Sequence, residues 1–256
     1  MHNTTRRVIH SLIFALVLLT AGNAFADDLV VGVNPEYQPL AYKEDGKLTG
    51  IELATAAATA KLLNKQLVLK ELAWEDLIPA LQRGEIDVVM SGMSITSERQ
   101  KLVDFSNSYL QIGQMAIIRM ADLSRLAPPG AIYQPGIRIG VESDTTGESY
   151  AKTSLTETAI KSFATPAGAF KALRAGDVDF FIHDAPTSWK IAQSNDYGDL
   201  FALYRPLTQE SLAWAVKKGN QPLLAELNQA LSTLKANGKL KLIQDHWMPV
   251  KVHVGQ

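Results

Sequence analysis

Apolar and polar positions along the 256-residue chain alternate between two kinds of segment. Short apolar runs read as buried strands: Leu29-Val-Val-Gly-Val-Asn34, Gln114-Met-Ala-Ile-Ile-Arg119, Ile137-Arg-Ile-Gly-Val-Glu142 and Ser211-Leu-Ala-Trp-Ala-Val216. Between them, helical spacing runs over Ile51 to Asn64, Trp74 to Arg83, Pro166 to Ala175, Ala185 to Ser194 and Pro222 to Ala236. In the last segment Leu223, Leu227, Leu231 and Leu234 form one stripe, which marks a core face. Strands that alternate with helices predict an α/β protein with mostly parallel sheets.

One helix-to-strand passage occurs twice. Ala80-Leu-Gln-Arg-Gly84-Glu-Ile-Asp87-Val-Val-Met90 and Ala172-Leu-Arg-Ala-Gly176-Asp-Val-Asp179-Phe-Phe-Ile182 each end a helix at a glycine and continue into an apolar strand. The residue past a last helical turn often needs a positive φ, which glycine adopts without strain. Two related lobes are therefore expected, lobe 1 over 27–113 and 207–256 and lobe 2 over 114–206. Two crossings between them make a hinge. Ligands of such sheets sit beyond the carboxyl ends of the strands. That rule points to Asn34–Tyr37, Ser91–Ser94, Glu142–Gly147 and His183–Asp184.

The first 26 residues have a different grammar. Arg6 and Arg7 precede a wholly apolar Leu12–Leu19, and Ala24-Phe25-Ala26 follows, the order of a secretory signal peptide cleaved after Ala26. The apolar core is too short to cross a bilayer. Those residues hold two of the 25 basic groups and none of the 26 acidic ones, so the remaining 230 residues carry 23 against 26, a net charge of −3. This balance disfavours a nucleic-acid binder. The absence of cysteine removes disulfides, thiolate catalysis, Cys-ligated metals and a lipid-modified N-terminal Cys. An exported, unanchored protein is expected to work in a bacterial periplasm.

Motifs for hydrolases, nucleotide binding and zinc proteases are absent, only three histidines follow the signal segment, and neither a metal nor a cofactor is expected. The strand-end residues instead suit a small zwitterion. Arg99 offers a planar fork to a carboxylate, and the Thr145-Thr146-Gly147 start of a helix offers free N–H groups to the same anion. Asp184 precedes Ala185-Pro186, where it suits a helix N-cap and also an ammonium partner. Tyr37 and Trp74 add aromatic faces, although each taken alone fits core packing somewhat better.

Further stretches carry a family likeness: Gly46-Lys-Leu-Thr-Gly-Ile51, the whole of Trp74 to Arg99, Val103-Asp-Phe-Ser-Asn-Ser-Tyr109, Leu173-Arg-Ala-Gly-Asp-Val-Asp179, and Leu234-Lys-Ala-Asn-Gly-Lys-Leu240 with Trp247. In order and spacing they resemble the family 3 extracellular solute-binding proteins, the polar-amino-acid receptors of ABC importers. The resemblance implies a two-lobed, type II periplasmic-binding-protein-like fold, each lobe a mostly parallel sheet flanked by helices. It implies that Arg99, with the backbone around Ser94 and Thr146, holds an α-carboxylate, and that Asp184, with Ser91 or Gly92, holds the α-ammonium. Tyr37 and Trp74 would flank the ligand side chain.

Two positions depart from the family pattern. Asn34 stands where many members with cationic or amide-bearing ligands carry Asp, and Glu142 at the matching place in lobe 2 is a candidate replacement. His183 beside Asp184 resembles glutamine-type receptors. A cationic and a neutral polar ligand side chain are thus both indicated. The expected partner is an inner-membrane ABC permease, the expected form a monomer without stable membrane insertion. A different reading is an exported cyclohexadienyl dehydratase on the same fold, with Arg99 anchoring a carboxylate and Glu142 as general acid.

Overall fold

The computed structural model describes residues 27–248, so the signal segment and the last eight residues lie outside the described part. In chain order come β1 (Asp28–Val33), β2 (Glu36–Tyr37), β3 (Ala41–Glu44), β4 (Lys47–Thr49), α1 (Ile51–Leu62), β5 (Gln66–Glu71), α2 (Leu77–Arg83), β6 (Val88–Val89), α3 (Ser97–Leu102), β7 (Val103–Phe105) and β8 (Leu110–Ile112). Then follow β9 (Gln114–Arg119), α4 (Leu123–Leu126), β10 (Arg138–Glu142), α5 (Thr146–Ser154), β11 (Ala159–Phe163), α6 (Pro166–Ala175), β12 (Phe180–Asp184), α7 (Ala185–Gln193) and β13 (Leu200–Leu203). The chain closes with β14 (Glu210–Leu212), β15 (Ala215–Lys217), α8 (Gln221–Ala236) and α9 (Lys239–Trp247).

Two five-stranded sheets form the lobes, in the orders β5-β1-β6-β15-β7 and β11-β10-β12-β9-β13. The first three strands of each are parallel, and the fourth is antiparallel to its neighbours. That fourth strand is in each case the one arriving from the other sheet: β9 follows the first crossing and β15 the second. This exchange defines the type II two-lobed arrangement. Where the chain crosses, β8 and β14 pair antiparallel, with Leu110 opposite Leu212 and Ile112 opposite Glu210.

The internal repeat has a physical basis. Gly84 and Gly176 take left-handed conformations at φ 74° and 77°, and each donates its N–H to the carbonyl three residues back at 3.1 Å. Three residues on, Asp87 and Asp179 do the same job in the two lobes. Asp87 Oδ2 accepts the Val30 N–H at 2.8 Å, and Asp179 Oδ2 accepts the Arg138 N–H at 3.0 Å. Each carboxylate thus pins the start of the incoming strand, β6 or β12, beside its parallel neighbour, β1 or β10. Asp179 also gathers Arg125 and Arg138, which hold its carboxyl down to about 2 against the opposing effect of burial.

Two elements differ from their expected form. The helix expected from Trp74 starts only at Leu77, after a single tight turn over Trp74–Asp76. Pro79 is the reason: a helix begun at Trp74 would place its missing N–H where an intrahelical bond is needed, whereas at the third helical position nothing is lost. The run Ser211–Val216 is two strands, not one, because the chain changes neighbours at Ala213-Trp214. Leu212 pairs with β8 and Ala215 with β6 and β7, while Trp214 and Ser106 exchange bonds at 2.8 and 3.0 Å.

Candidate binding cleft

The carboxyl ends of β1, β6, β10 and β12 converge on a narrow cleft between the lobes. It is lined by Asn34, Glu36, Tyr37, Trp74, Gly92, Ser94, Arg99, Gln114, Glu142, Thr145, Thr146, His183 and Asp184. Ser91, expected beside the ammonium, does not line it. Its hydroxyl accepts the Asn34 N–H at 2.8 Å and so supports the wall from behind.

Arg99 projects from α3, whose N-cap Thr96 accepts the Arg99 N–H at 3.1 Å. Its guanidinium lies 5.1 Å over the Trp74 ring and donates to the Ser94 carbonyl at 3.0 Å and to the Asp144 carbonyl at 3.0 Å. Burial weakens its hold on the proton, opposed by the charges of Asp184, Glu210 and Asp144. It stays cationic, because an arginine does not release its proton in a protein. Trp74 Nε1 donates to the same Asp144 carbonyl at 3.1 Å. Asp144 sits at φ 59°, a left-handed position that Asp tolerates better than most residues.

The α5 N-terminus opens beside this cation. Thr145 caps it, accepting the Glu148 N–H at 3.2 Å, and the first-turn N–H groups have no acceptor within the helix. Asp184 faces Arg99's surroundings from β12. It stands at the N-cap position of α7, yet its side chain makes no cap bond. The expected capping role is therefore corrected: Pro186 removes one of the two N–H groups such a cap accepts from, and the carboxylate turns away from the other into the cleft, where Tyr37 and Gln114 donate to it. Burial, with Glu210 adding to it, raises the Asp184 carboxyl to about 6 against the lowering effects of His183, Tyr37 and Gln114.

The side-chain end of the cleft is more committed than its sequence suggested. Asn34 Nδ2 donates to the Leu72 carbonyl at 3.2 Å and its Oδ1 accepts the Glu36 N–H at 3.1 Å. Its amide is thus occupied by the local turn. Glu142 Oε2 lies 3.1 Å from His183 Nε2, and His183 meets the Tyr37 ring edge-on with centroids 5.3 Å apart.

Residues in and behind the cleft wall escaped the sequence reading. Gln114 heads β9, is 1% exposed, and its amide nitrogen reaches Thr146 Oγ1 at 3.0 Å and Glu210 Oε1 at 3.2 Å. Glu210 also accepts the Ser94 hydroxyl at 2.6 Å and the Thr208 hydroxyl at 2.6 Å. Behind the wall, Glu52 is fully buried and accepts the Gly92 N–H at 2.7 Å along with the Tyr109 hydroxyl. Burial lifts its carboxyl to about 7 although those bonds oppose it. Among the described residues no group of three His, Cys, Asp or Glu side chains could hold a metal, and no helix is long and apolar enough to cross a membrane.

A cation and an anion presented from two lobes to one cleft define a two-lobed small-molecule binding protein. The chain belongs to the bacterial extracellular solute-binding proteins, family 3, whose profile matches residues 29–250. It is 31% identical to the L-arginine-binding protein of Pseudomonas aeruginosa over 249 residues, covering 93% of this chain and 95% of that one. An ancestral arginine-binding protein, solved with glutamine and with arginine, shares 32% identity at a TM-score of 0.79, covering 87% of this chain and 98% and 99% of the solved chains. An ancestral amino-acid-binding protein described as a precursor of cyclohexadienyl dehydratase also shares 32% identity at a TM-score of 0.79, covering 86% of this chain and 95% of that chain.

Proposed function

We propose that this chain captures an L-α-amino acid with a polar or basic side chain between its lobes and delivers it to the membrane permease of an ABC importer. The carrying observation is the placement of Arg99 and Asp184 at one cleft, from elements of opposite lobes. Arg99, with the groups around Ser94 and Thr146, takes the carboxylate, where two parallel bonds from a guanidinium fit best. Asp184 takes the ammonium with Gly92 beside it. Tyr37, Trp74, Glu142 and His183 surround the side chain, and Asn34 shapes that end through the turn it closes. The lobes so joined are 27–113 with the C-terminal part from 207, and 114–206.

The arginine-binding relative and the ancestral protein solved with both arginine and glutamine support a polar or basic ligand. The neighbour related to a dehydratase is itself described as amino-acid-binding, so it lends the enzyme reading no independent support. The working place is the periplasm and the working form a monomer. Calorimetry against the twenty amino acids tests the reading: at least one should bind with micromolar or tighter affinity. Binding of none below the millimolar range would sink it.

A further inference from the structure

At the side-chain end of the cleft sits a buried pair whose net charge one proton decides. The side chains of His183 and Glu142 are 7% and 9% exposed, with His183 Nε2 3.1 Å from Glu142 Oε2. On the other side of the ring, His183 Nδ1 meets Thr187 Oγ1 at 2.8 Å. A hydroxyl both donates and accepts, so Thr187 serves either state of the ring. Toward a neutral imidazole the hydroxyl donates to Nδ1 while Nε2–H donates to Glu142. Toward an imidazolium it accepts from Nδ1–H. The proton comes and goes without leaving a buried group unpartnered, which would otherwise cost about 1–3 kcal/mol.

The remaining neighbours are accounted for. Tyr37 from β2 meets the ring edge-on at 5.3 Å, Phe181 lies at 5.4 Å, and Met115 is the register partner on β9. Asp184 is next on the same strand, with Glu210 behind it, and Glu36 and Arg99 complete the charged lining. Burial alone would drive the proton off His183. The Glu142 bond and charge, with Asp184, outweigh it and hold the imidazolium above its ordinary range of 6.5.

We propose that the Glu142–His183 pair makes this site's choice between cationic and neutral ligand side chains proton-linked. The inference rests on the amino-acid reading given above. With His183 protonated the pair is neutral as a whole, and a neutral polar side chain is preferred. With His183 neutral the pair carries one negative charge, and a cationic side chain is preferred. A cationic ligand entering beside the imidazolium expels the Nδ1 proton to the buffer while the Thr187 hydroxyl turns to donate. A neutral ligand expels none. Asp184 acts on every α-ammonium alike, so its own titration cancels in the ratio of two ligands.

The test uses L-arginine and its near-isosteric neutral analogue L-citrulline on the intact protein. Calorimetry in buffers of different ionisation enthalpy should count up to one more proton released by arginine than by citrulline near neutral pH. The arginine-to-citrulline affinity ratio should rise with pH from 6 to 8.5, by up to about tenfold per unit at its steepest. In His183→Gln the ratio should lose its pH dependence and stay at the high-pH value, and in Glu142→Gln it should fall and flatten. Equal proton counts and a flat wild-type ratio overturn the linkage while leaving amino-acid binding intact. Binding of neither compound nor of any standard amino acid overturns the site reading and this inference with it. The wild-type counts decide the matter even where a variant does not fold.

Discussion

In the proposed reading Arg99 and Asp184 divide the work of recognition by charge, and each carries its own prediction. Arg99→Ala leaves a ligand carboxylate without its partner, a loss of about 3 kcal/mol, so affinity should fall more than a hundredfold by calorimetry. Asp184 brings a pH dependence. Its carboxyl is raised to about 6, so as pH falls through 6 it takes a proton and ceases to be an anion. Affinity for every α-amino acid should then decline, by up to about tenfold per pH unit, and Asp184→Asn should abolish that decline together with most of the affinity. Glu52 acts on stability instead. With its carboxyl moved from 4.5 to about 7, the folded protein holds the proton more tightly than the unfolded chain. Its contribution is full below 4.5 and is lost as pH rises through 7, a change on the order of 3 kcal/mol. Glu52→Gln keeps an oxygen for the Gly92 N–H and removes the titration. Thermal unfolding of the parent should show a fall in stability between pH 5 and 7, and that variant should lose it.

At the scale of elements, two glycines separate backbone strain from hinge geometry. Gly84 takes φ 74° and a Cβ there would meet nothing within 4 Å, so Gly84→Ala should cost about 1 kcal/mol in unfolding experiments and leave ligand affinity unchanged. Gly113 joins β8 to β9, and a Cβ there would stand 2.1 Å from the Thr208 carbonyl oxygen of the other crossing segment. Gly113→Ala must push the two crossings apart, so it should weaken ligand binding as well as stability. Unaltered affinity would show that the hinge tolerates the wider spacing. The same scale explains what the sequence disclosed. Strand-end logic led to Asn34, Glu142, His183 and Asp184, because periodicity and glycine caps locate the ends of buried strands. It missed the break at Ala213-Trp214, since a continuous apolar run encodes burial and says nothing about a change of partner. Gln114 and Glu210 were missed for a related reason. Their bonds to each other and to Ser94 and Thr146 join residues 32 to 116 positions apart, and no local pattern marks such pairs. Asn34 was legible as a position but not in its role, because the turn that occupies its amide is visible only in three dimensions.

Across the whole molecule, the cleft belongs to neither lobe alone. Trp74 and Arg99 reach from the side of α2 and α3 to the Asp144 carbonyl beyond β10, and Tyr37 reaches Asp184 on β12. A zwitterion held by Arg99 at one end and Asp184 at the other touches both halves only when they are together, so binding must favour the closed form by its differential affinity. The same linkage stabilises the fold. Ligand at a hundred times its dissociation constant contributes about 2.7 kcal/mol. For a chain of this size that should raise the melting temperature by roughly 5–10 °C. The shift should vanish in Arg99→Ala and in Asp184→Asn alike, although the two side chains stand on different lobes, and small-angle scattering of the wild-type protein should show a smaller radius of gyration when ligand is present. A thermal shift that survived either substitution would mean that one lobe binds by itself, and the closing of the cleft would then have to be driven by something other than the two charges that face each other across it.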